Sequence, residues 1–435
     1  MAGRRLFGLA RRTPYLAGLP RDVAVLSFVA FSVALGYGIA APVIPVYART
    51  FGVSAFLATL VISGFALMRL VSAAPAGLMV DRFGERRVMS VGIWIVALSS
   101  LATALARDFT QLLVLRGLGG IGSAMFTVSA MALVLRTSQP HQRGRASGAF
   151  QAGFLFGGVL GPAVGGLVTG ISIRAPFVVY GLTLVVAGVI AARQLSREPA
   201  PADHDEAASA AGAAGAAGGS SAPAAAPGPS AAAASPAAPA SLGAALGSSA
   251  YRAALMVNLS VGFIVFGLRI SLVPIYATEA LGMVVGLVGL TFVLATGVQA
   301  IALVPAGRRT DTVGRRASLL VGTASMAASM LLLALGTGTV GLFLAMGVSG
   351  LAMAFLGAPA SAVVGDVTRG TSGGRVVSAY QMVGDLGAIL GPLLAGALVD
   401  ALGFSWAFGT GLGVALVALV MVTVMPETLR HATND

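Results

Sequence analysis

The chain has 435 residues, 57% hydrophobic and only 10% charged, with a mean hydropathy of +0.92 and a formal net charge of +12. A soluble chain carries about a quarter charged residues, so this one cannot cover itself with polar side chains and needs lipid as solvent for much of its surface. Every basic residue is Arg, and Cys is absent, which excludes disulfides, thiolate metal sites and cysteine nucleophiles.

Residues 1–21 carry Arg4, Arg5, Arg11, Arg12 and Arg21 around a short apolar stretch. Charge breaks that stretch too often for a signal-peptide core, so a cytoplasmic tail is expected there. Apolar runs then predict spans near 22–49, 54–80, 87–106, 109–136, 144–170 and 174–195, making a first bundle over 22–198. Residues 199–250 are rich in Ala, Pro, Gly and Ser, with an acidic cluster of Asp203, Asp205 and Glu206. They lack large apolar side chains and read as a disordered cytoplasmic linker. A second set of spans follows near 251–280, 284–307, 316–336, 339–367, 374–401 and 404–426, with a cytoplasmic tail over 427–435. The fold class expected is all-α: twelve transmembrane helices in two six-helix bundles.

Arg placement orients the chain. With both ends cytoplasmic, the tails and cytoplasmic loops hold 21 of the 27 basic residues, and the outward loops hold only Arg49, Arg107 and Arg174. The positive-inside rule accounts for that asymmetry better than nucleic-acid binding does. The absence of Lys, with abundant Ala and Gly, points to a GC-rich bacterial genome and so to a bacterial plasma membrane. The two bundles are related by a direct repeat at an offset of about 230 residues. Gln151 matches Gln381, Gly157 matches Gly387, and Gly161-Pro162 matches Gly391-Pro392; Pro45 and Tyr47 are echoed by Pro274 and Tyr276. A parallel repeat of six spans implies two bundles facing each other across a central cavity.

At these residues the sequence resembles the major facilitator superfamily. The second loop reads Gly77-x-x-x-Asp81-Arg82-x-Gly84-x-Arg86-Arg87, the family's pattern at that position, and a partial copy follows at Gly307, Asp311, Gly314 and Arg316. Gly84 permits a tight turn, and a carboxylate at a helix end can pair with Arg or with the positive end of a neighbouring helix. A conformational latch and a simple loop anchor are both open readings. The fourth span carries Arg116 in a stretch like the family's second motif, with Gly119 where Gln is usual. The resemblance implies proton coupling at this Arg; a structural ion pair is the alternative. The fifth span, with Gly148, Gly157, Gly161-Pro162 and Gly165-Gly166, is similar to the motif of drug and metabolite antiporters. Gly153, Gly157, Gly161 and Gly165 recur every four residues, a smooth stripe suited to close helix contact, whether at a rocking interface or in ordinary small-residue packing.

Asp385 is the one acidic residue deep in a span, ten residues after Arg375, or about 15 Å at helical rise. Burial disfavours the charged form of a lone carboxylate, which suits a group that binds and releases protons. Pairing with Arg269, Arg69 or Arg116 would instead keep it ionised. Tyr37, Phe150, Gln151, Asn258, Tyr380 and Gln381 are candidate cavity residues, while Tyr47 and Tyr276 read as outer packing residues. No chemistry is assigned to His141 or His431. No metal cluster, cofactor motif or GxxxxGK[ST] loop occurs, so an enzyme reading is weak. The function expected is export of a small lipophilic or drug-like molecule or metabolite in exchange for protons, by a monomer in membrane lipid with no nucleic-acid partner. A lipid or glycolipid translocator and a sugar-type importer or facilitator are the alternatives.

Overall fold

A computed structural model describes residues 19–139, 142–195, 242–368 and 374–429. Twelve helices in these segments are long and apolar enough to cross a membrane. The first six are α1 (Arg21–Ala40), α2 (Ala55–Phe83), α3 (Glu85–Ala104), α4 (Phe109–Thr137), α5 (Arg143–Thr169) and α6 (Ala175–Gln194). The second six are α7 (Ser249–Ala280), α8 (Val285–Thr312), α9 (Arg315–Ala334), α10 (Gly338–Val367), α11 (Gly374–Leu402) and α12 (Phe404–Val424). No strand occurs among the described residues. The protein is an all-α, multi-pass membrane protein.

Helix starts follow local chemistry. Ser54 caps α2 by accepting from the Leu57 amide, and Asp108 caps α4 by accepting from the Gln111 amide at 2.8 Å. Gly84 and Gly314 open α3 and α9 at φ of 80° and 130°, backbone conformations that strain other residues. They occupy equivalent turns of the repeat, which explains the shared glycine. The first expected span, 22–49, is interrupted: α1 stops at Ala40 and a short helix resumes at Ile44–Arg49. Pro42 has no amide to continue the ladder, and Pro45 fits the first turn of the new helix. Between Val261 and Arg269, α7 widens into π-helical turns, which periodicity did not foretell. A short helix, Leu242–Gly247, also falls inside the stretch expected to be disordered linker. The rest of that linker, most of the two tails, His141 and His431 lie outside the described residues.

Within the first half, α1 packs on α5 and α6, α2 on α4, and α3 on α4 and α6. The second half repeats the same pairing: α7 on α11 and α12, α8 on α10, and α9 on α10 and α12. The halves meet through α2 against α11 and α5 against α8, two contacts that exchange under the repeat. Large apolar side chains face outward all round, with Leu78 71%, Leu167 79% and Val340 73% exposed. Lipid tails cover such a surface; water would not.

Bonds between the halves gather at one end, the end carrying the turns at 40–55, 280–285 and 402–404. There Arg49 forms a bidentate pair with Glu279, and Asp400 accepts from the Ala55 and Phe56 amides at 2.9 Å each. A carboxylate from α11 thus caps the N-terminus of α2 across the interface, where the helix dipole favours negative charge. Deeper in, Ser63 donates to the Ile389 carbonyl at 2.8 Å. Gly166 backs onto α8 so closely that a β-carbon there would lie 3.1 Å from the Gly286 oxygen. Leucine at Gly166 should therefore wedge this end open. Cross-linking of cysteines introduced on either side of the wedge should fall about tenfold relative to the parent, and unchanged cross-linking would refute the contact.

Candidate functional site

Beneath this sealed layer lies a cavity of about 250 Å³ between the halves. From the first half it is lined by Tyr37, Phe65, Arg69, Ser123, Thr127, Gln151 and Phe154, and from the second by Asn258, Phe266, Arg269, Phe292, Gln299, Met353, Gln381 and Asp385. Aromatic and aliphatic faces with sparse polar groups suit an amphipathic small molecule. Of the six candidate cavity residues, the structure places Tyr37, Gln151, Asn258 and Gln381 in the wall. The other two are corrections. Phe150 is 1% exposed and packs edge-on against Phe154, inside the first bundle. Tyr380 is buried, and its carbonyl accepts from the Asn258 amide at 2.7 Å. Tyr47 is buried with its hydroxyl donating to the Ala106 carbonyl, and Tyr276 stacks on Phe404 and Phe408.

One ion pair crosses the cavity wall. Arg69 Nη2, on α2, donates to Asp385 Oδ1, on α11, at 3.1 Å. The two side chains are 10% and 13% exposed, and they belong to opposite halves. Breaking such a pair by removing one partner leaves a poorly solvated charge. Of the three arginines that competed for Asp385, geometry selects Arg69.

Arg116 is walled off from the cavity. It is 1% exposed, its guanidinium sits 4.8 Å from the Phe65 ring centre, and its Nε and Nη1 have no hydrogen-bond partner. Among the described residues no carboxylate pairs with it, so the ion-pair alternative for Arg116 fails in this conformation. Cation–π attraction to Phe65 replaces it. Gly119 makes room for this arrangement, since even a β-carbon there would lie 2.9 Å from Ser99 Oγ. Arg269 lines the cavity, 9% exposed, with Nη1 at 3.4 Å from Ser349 Oγ and Nε unpartnered.

The glycine stripe of α5 faces α1 within its own half, not the interface between halves. Gly153 abuts the Ser27 carbonyl, Gly157 the Phe31 carbonyl, Gly161 Gly38, and Gly165 the Ile39 backbone. In the second half, Gly387 and Gly391 seat α11 on α7 against Leu259 and Phe263. Gly148 has open space around it. Among the antiporter-motif glycines, Gly166 is the one whose β-carbon would meet the other half. Pro162 lines the cavity and also touches Gly38.

The sequence matches the family described as the Major Facilitator Superfamily over residues 26–283 and again over 254–434. The chain belongs to this superfamily. It is 28% identical to the quinolone resistance protein NorA of Staphylococcus aureus (strain MRSA252) over 170 residues, 39% of this chain and 44% of NorA. It is 31% identical to multidrug resistance protein 2 of Bacillus subtilis (strain 168) over 162 residues, 37% of this chain and 40% of that protein. The match thus spans less than half the length of these relatives. Among solved structures, a bacterial homolog of the human lysosomal transporter Spinster, inward-facing and unoccupied, superposes with a TM-score of 0.67 at 17% identity, covering 95% of each chain. The human organic anion transporter MFSD10 gives 0.62 at 18% identity, covering 94% of this chain and all of that one. The family is one of transporters, not enzymes.

The superfamily's loop pattern sits at the end of the molecule opposite the sealed layer. Asp81 and Arg87 are exposed, Arg82 lies over the Phe83 ring, and Arg86 donates to the Ala192 carbonyl. Asp81 makes no hydrogen bond or ion pair among the described residues, so no latch through it is seen there. Gly77 has nothing within reach of an added β-carbon. The second copy is tighter than its sequence suggested. Arg315, not singled out from sequence, donates to Asp311 at 3.1 Å and approaches Asp366 at 3.5 Å, while Arg316 reaches the Thr423 carbonyl. Glu427 caps α9, accepting from the Arg315 and Arg316 amides, beside Gly314. Burial pushes the Glu427 carboxyl up, but the amides of Leu429, Arg315, Arg316 and Thr428 outweigh it and hold it below its ordinary value. Its stabilising contribution is therefore present above the ordinary glutamate range and lost as pH falls through the lowered value. Glu427→Gln should remove up to about 1 kcal/mol at neutral pH, an exposed cap being partly screened. The difference in thermal unfolding midpoint should shrink as pH falls through the lowered value and vanish once the carboxyl is protonated; a gap that never narrows on acidification would contradict the cap.

Proposed function

We propose that the protein is a secondary active transporter that exports a small amphipathic or drug-like molecule in exchange for protons, by alternating access, from a bacterial cytoplasm with both termini inside. The observation that carries this reading is the Arg69–Asp385 pair, which ties the two halves together in the wall of the one large cavity among the described residues. Ionised, Asp385 helps hold α11 to α2; protonated, it releases Arg69 and with it one of the contacts between halves. Cargo entering the cavity and a proton arriving at Asp385 act on the same interface, which is what exchange requires. The similarity to two drug-resistance proteins supports the cargo class. With the Arg-rich loops cytoplasmic, the sealed end faces outward, and the conformation is open or opening to the cytoplasm.

The test uses proteoliposomes with an imposed pH gradient. Adding amphipathic aromatic compounds should dissipate the gradient with wild-type protein and leave it intact with Asp385→Asn. Equal dissipation by both proteins would remove Asp385 from coupling, and dissipation by neither would favour a facilitator.

A further inference from the structure

We propose that Arg269 is the anion-binding point of the central cavity, so that the cargo is an amphipathic organic anion: an aromatic or branched apolar body bearing one carboxylate or sulfonate. This rests on the reading that the cavity takes the substrate, and it narrows the class of substrate.

Three charged side chains line the cavity: Arg69, Arg269 and Asp385. Asp385 is spent on Arg69 at 3.1 Å, and no carboxylate pairs with Arg269 among the described residues. The wall therefore carries a formal excess of one positive charge. Ser349 does not neutralise it. Its hydroxyl proton goes to the Met346 carbonyl at 2.9 Å, leaving a lone pair 3.4 Å from Arg269 Nη1. Nε has no hydrogen-bond partner among the described residues.

A charge held this far from water is expensive unless something compensates it. Arg269 sits at the end of the π-helical stretch of α7, a widened turn of the kind found at functional sites. The guanidinium offers a planar fork that matches carboxylate and sulfonate geometry. Apolar side chains share the wall with it: Phe266 one turn before it on α7, Met353 one turn beyond Ser349 on α10, and Phe292 on α8. An anion at the cavity-facing side of the Arg269 guanidinium compensates its charge and leaves the Arg69–Asp385 pair intact. A lipophilic cation meets the opposite arrangement, a surplus positive charge with the cavity's carboxylate already engaged.

The experiment measures binding of three matched probes to the full-length protein in lipid nanodiscs by equilibrium dialysis, with empty nanodiscs subtracted. The probes are naphthalene sulfonate, its neutral sulfonamide, and naphthylmethyl trimethylammonium. Wild type should bind the sulfonate about tenfold or more tightly than either of the others. Arg269→Gln should erase the ratio of sulfonate to sulfonamide affinity, and Arg269→Lys should keep most of it. Wild type binding the sulfonate no better than the sulfonamide overturns the proposal without reference to any variant. So does an Arg269→Gln protein that keeps the preference. Binding needs no proton gradient, so these failures are distinguishable from failure of proton-coupled export, which the gradient assay reads separately.

Discussion

Asp385→Asn reaches the membrane folded, still exchanges labelled cargo for unlabelled cargo, and loses gradient-driven export by about tenfold or more. The physical reason is the position of the carboxylate. Asp385 is the cavity's acid, and its partner Arg69 lies on the opposite half. Asn keeps the shape and can still accept a hydrogen bond from Arg69, so the bundle is not overpacked or hollowed. It cannot carry a proton or hold Arg69 by charge. Exchange of cargo for cargo needs only the cavity and the swing of the halves, whereas export against a gradient needs the proton as well. Arg69→Gln should lose driven export similarly, because it leaves Asp385 without its counter-charge. If Asp385→Asn exports at the wild-type rate, the pair is only structural. The check is driven efflux and counterflow measured on the same reconstituted preparations.

The largest effect on the fold is expected at Gly157. A β-carbon there overlaps the Phe31 carbonyl oxygen and comes within 2.7 Å of the Leu35 amide, both backbone atoms of α1. Backbone cannot rotate aside as a side chain can, so Gly157→Leu must drive α5 off α1 along the stripe. Overpacking costs about 1–3 kcal/mol where side chains can yield, and a backbone clash exceeds that range. Helices in lipid are held chiefly by such close packing, so little else compensates. Gly157→Leu should leave little monodisperse protein after solubilisation, measured by fluorescence-detected size-exclusion chromatography. Gly148→Leu, with open space at its β-carbon, should elute as wild type. Equal yields of both variants would contradict the packing.

Much of this architecture was legible because lipid imposes simple rules. Long apolar runs must be helices, and a direct repeat must build the same bundle twice; the identical helix pairing in the two halves is its physical expression. Position along a helix could be counted too, since rise per residue is constant and sets Asp385 about 15 Å beyond Arg375. Azimuth was not. Each residue turns a helix by about 100°, so neighbouring candidates part company: Gln151, Phe154 and Gly158 face the cavity while Phe150 turns into the bundle. Gln381, Gly384, Asp385 and Ala388 do the same while Tyr380 turns away. A three-four spacing count along α5 and α11 would have found both exceptions. The choice of Arg69 over Arg269 as partner of Asp385 was beyond reach, because it depends on how two halves dock and not on the register of either. The cap that Asp400 places on α2 was equally hidden, with 345 residues separating it from Ala55.

The Arg69–Asp385 pair lies beneath the layer that Arg49, Glu279 and Asp400 form at the sealed end, and its charge adds to what holds the halves together. The chain has no native cysteine, so paired spin labels report on that end without background. Leu105 and Leu335 are repeat-equivalent, 72% and 65% exposed, and close α3 and α9 at that end in opposite halves. With cysteines at both and spin labels attached, double electron–electron resonance gives the distance between halves in nanodiscs. A single narrow distance is expected at neutral pH. A longer population should grow on acidification and dominate at every pH when Asp385→Asn is added. A distance distribution that ignores both acidification and Asp385→Asn would contradict the pair's part in holding the halves together.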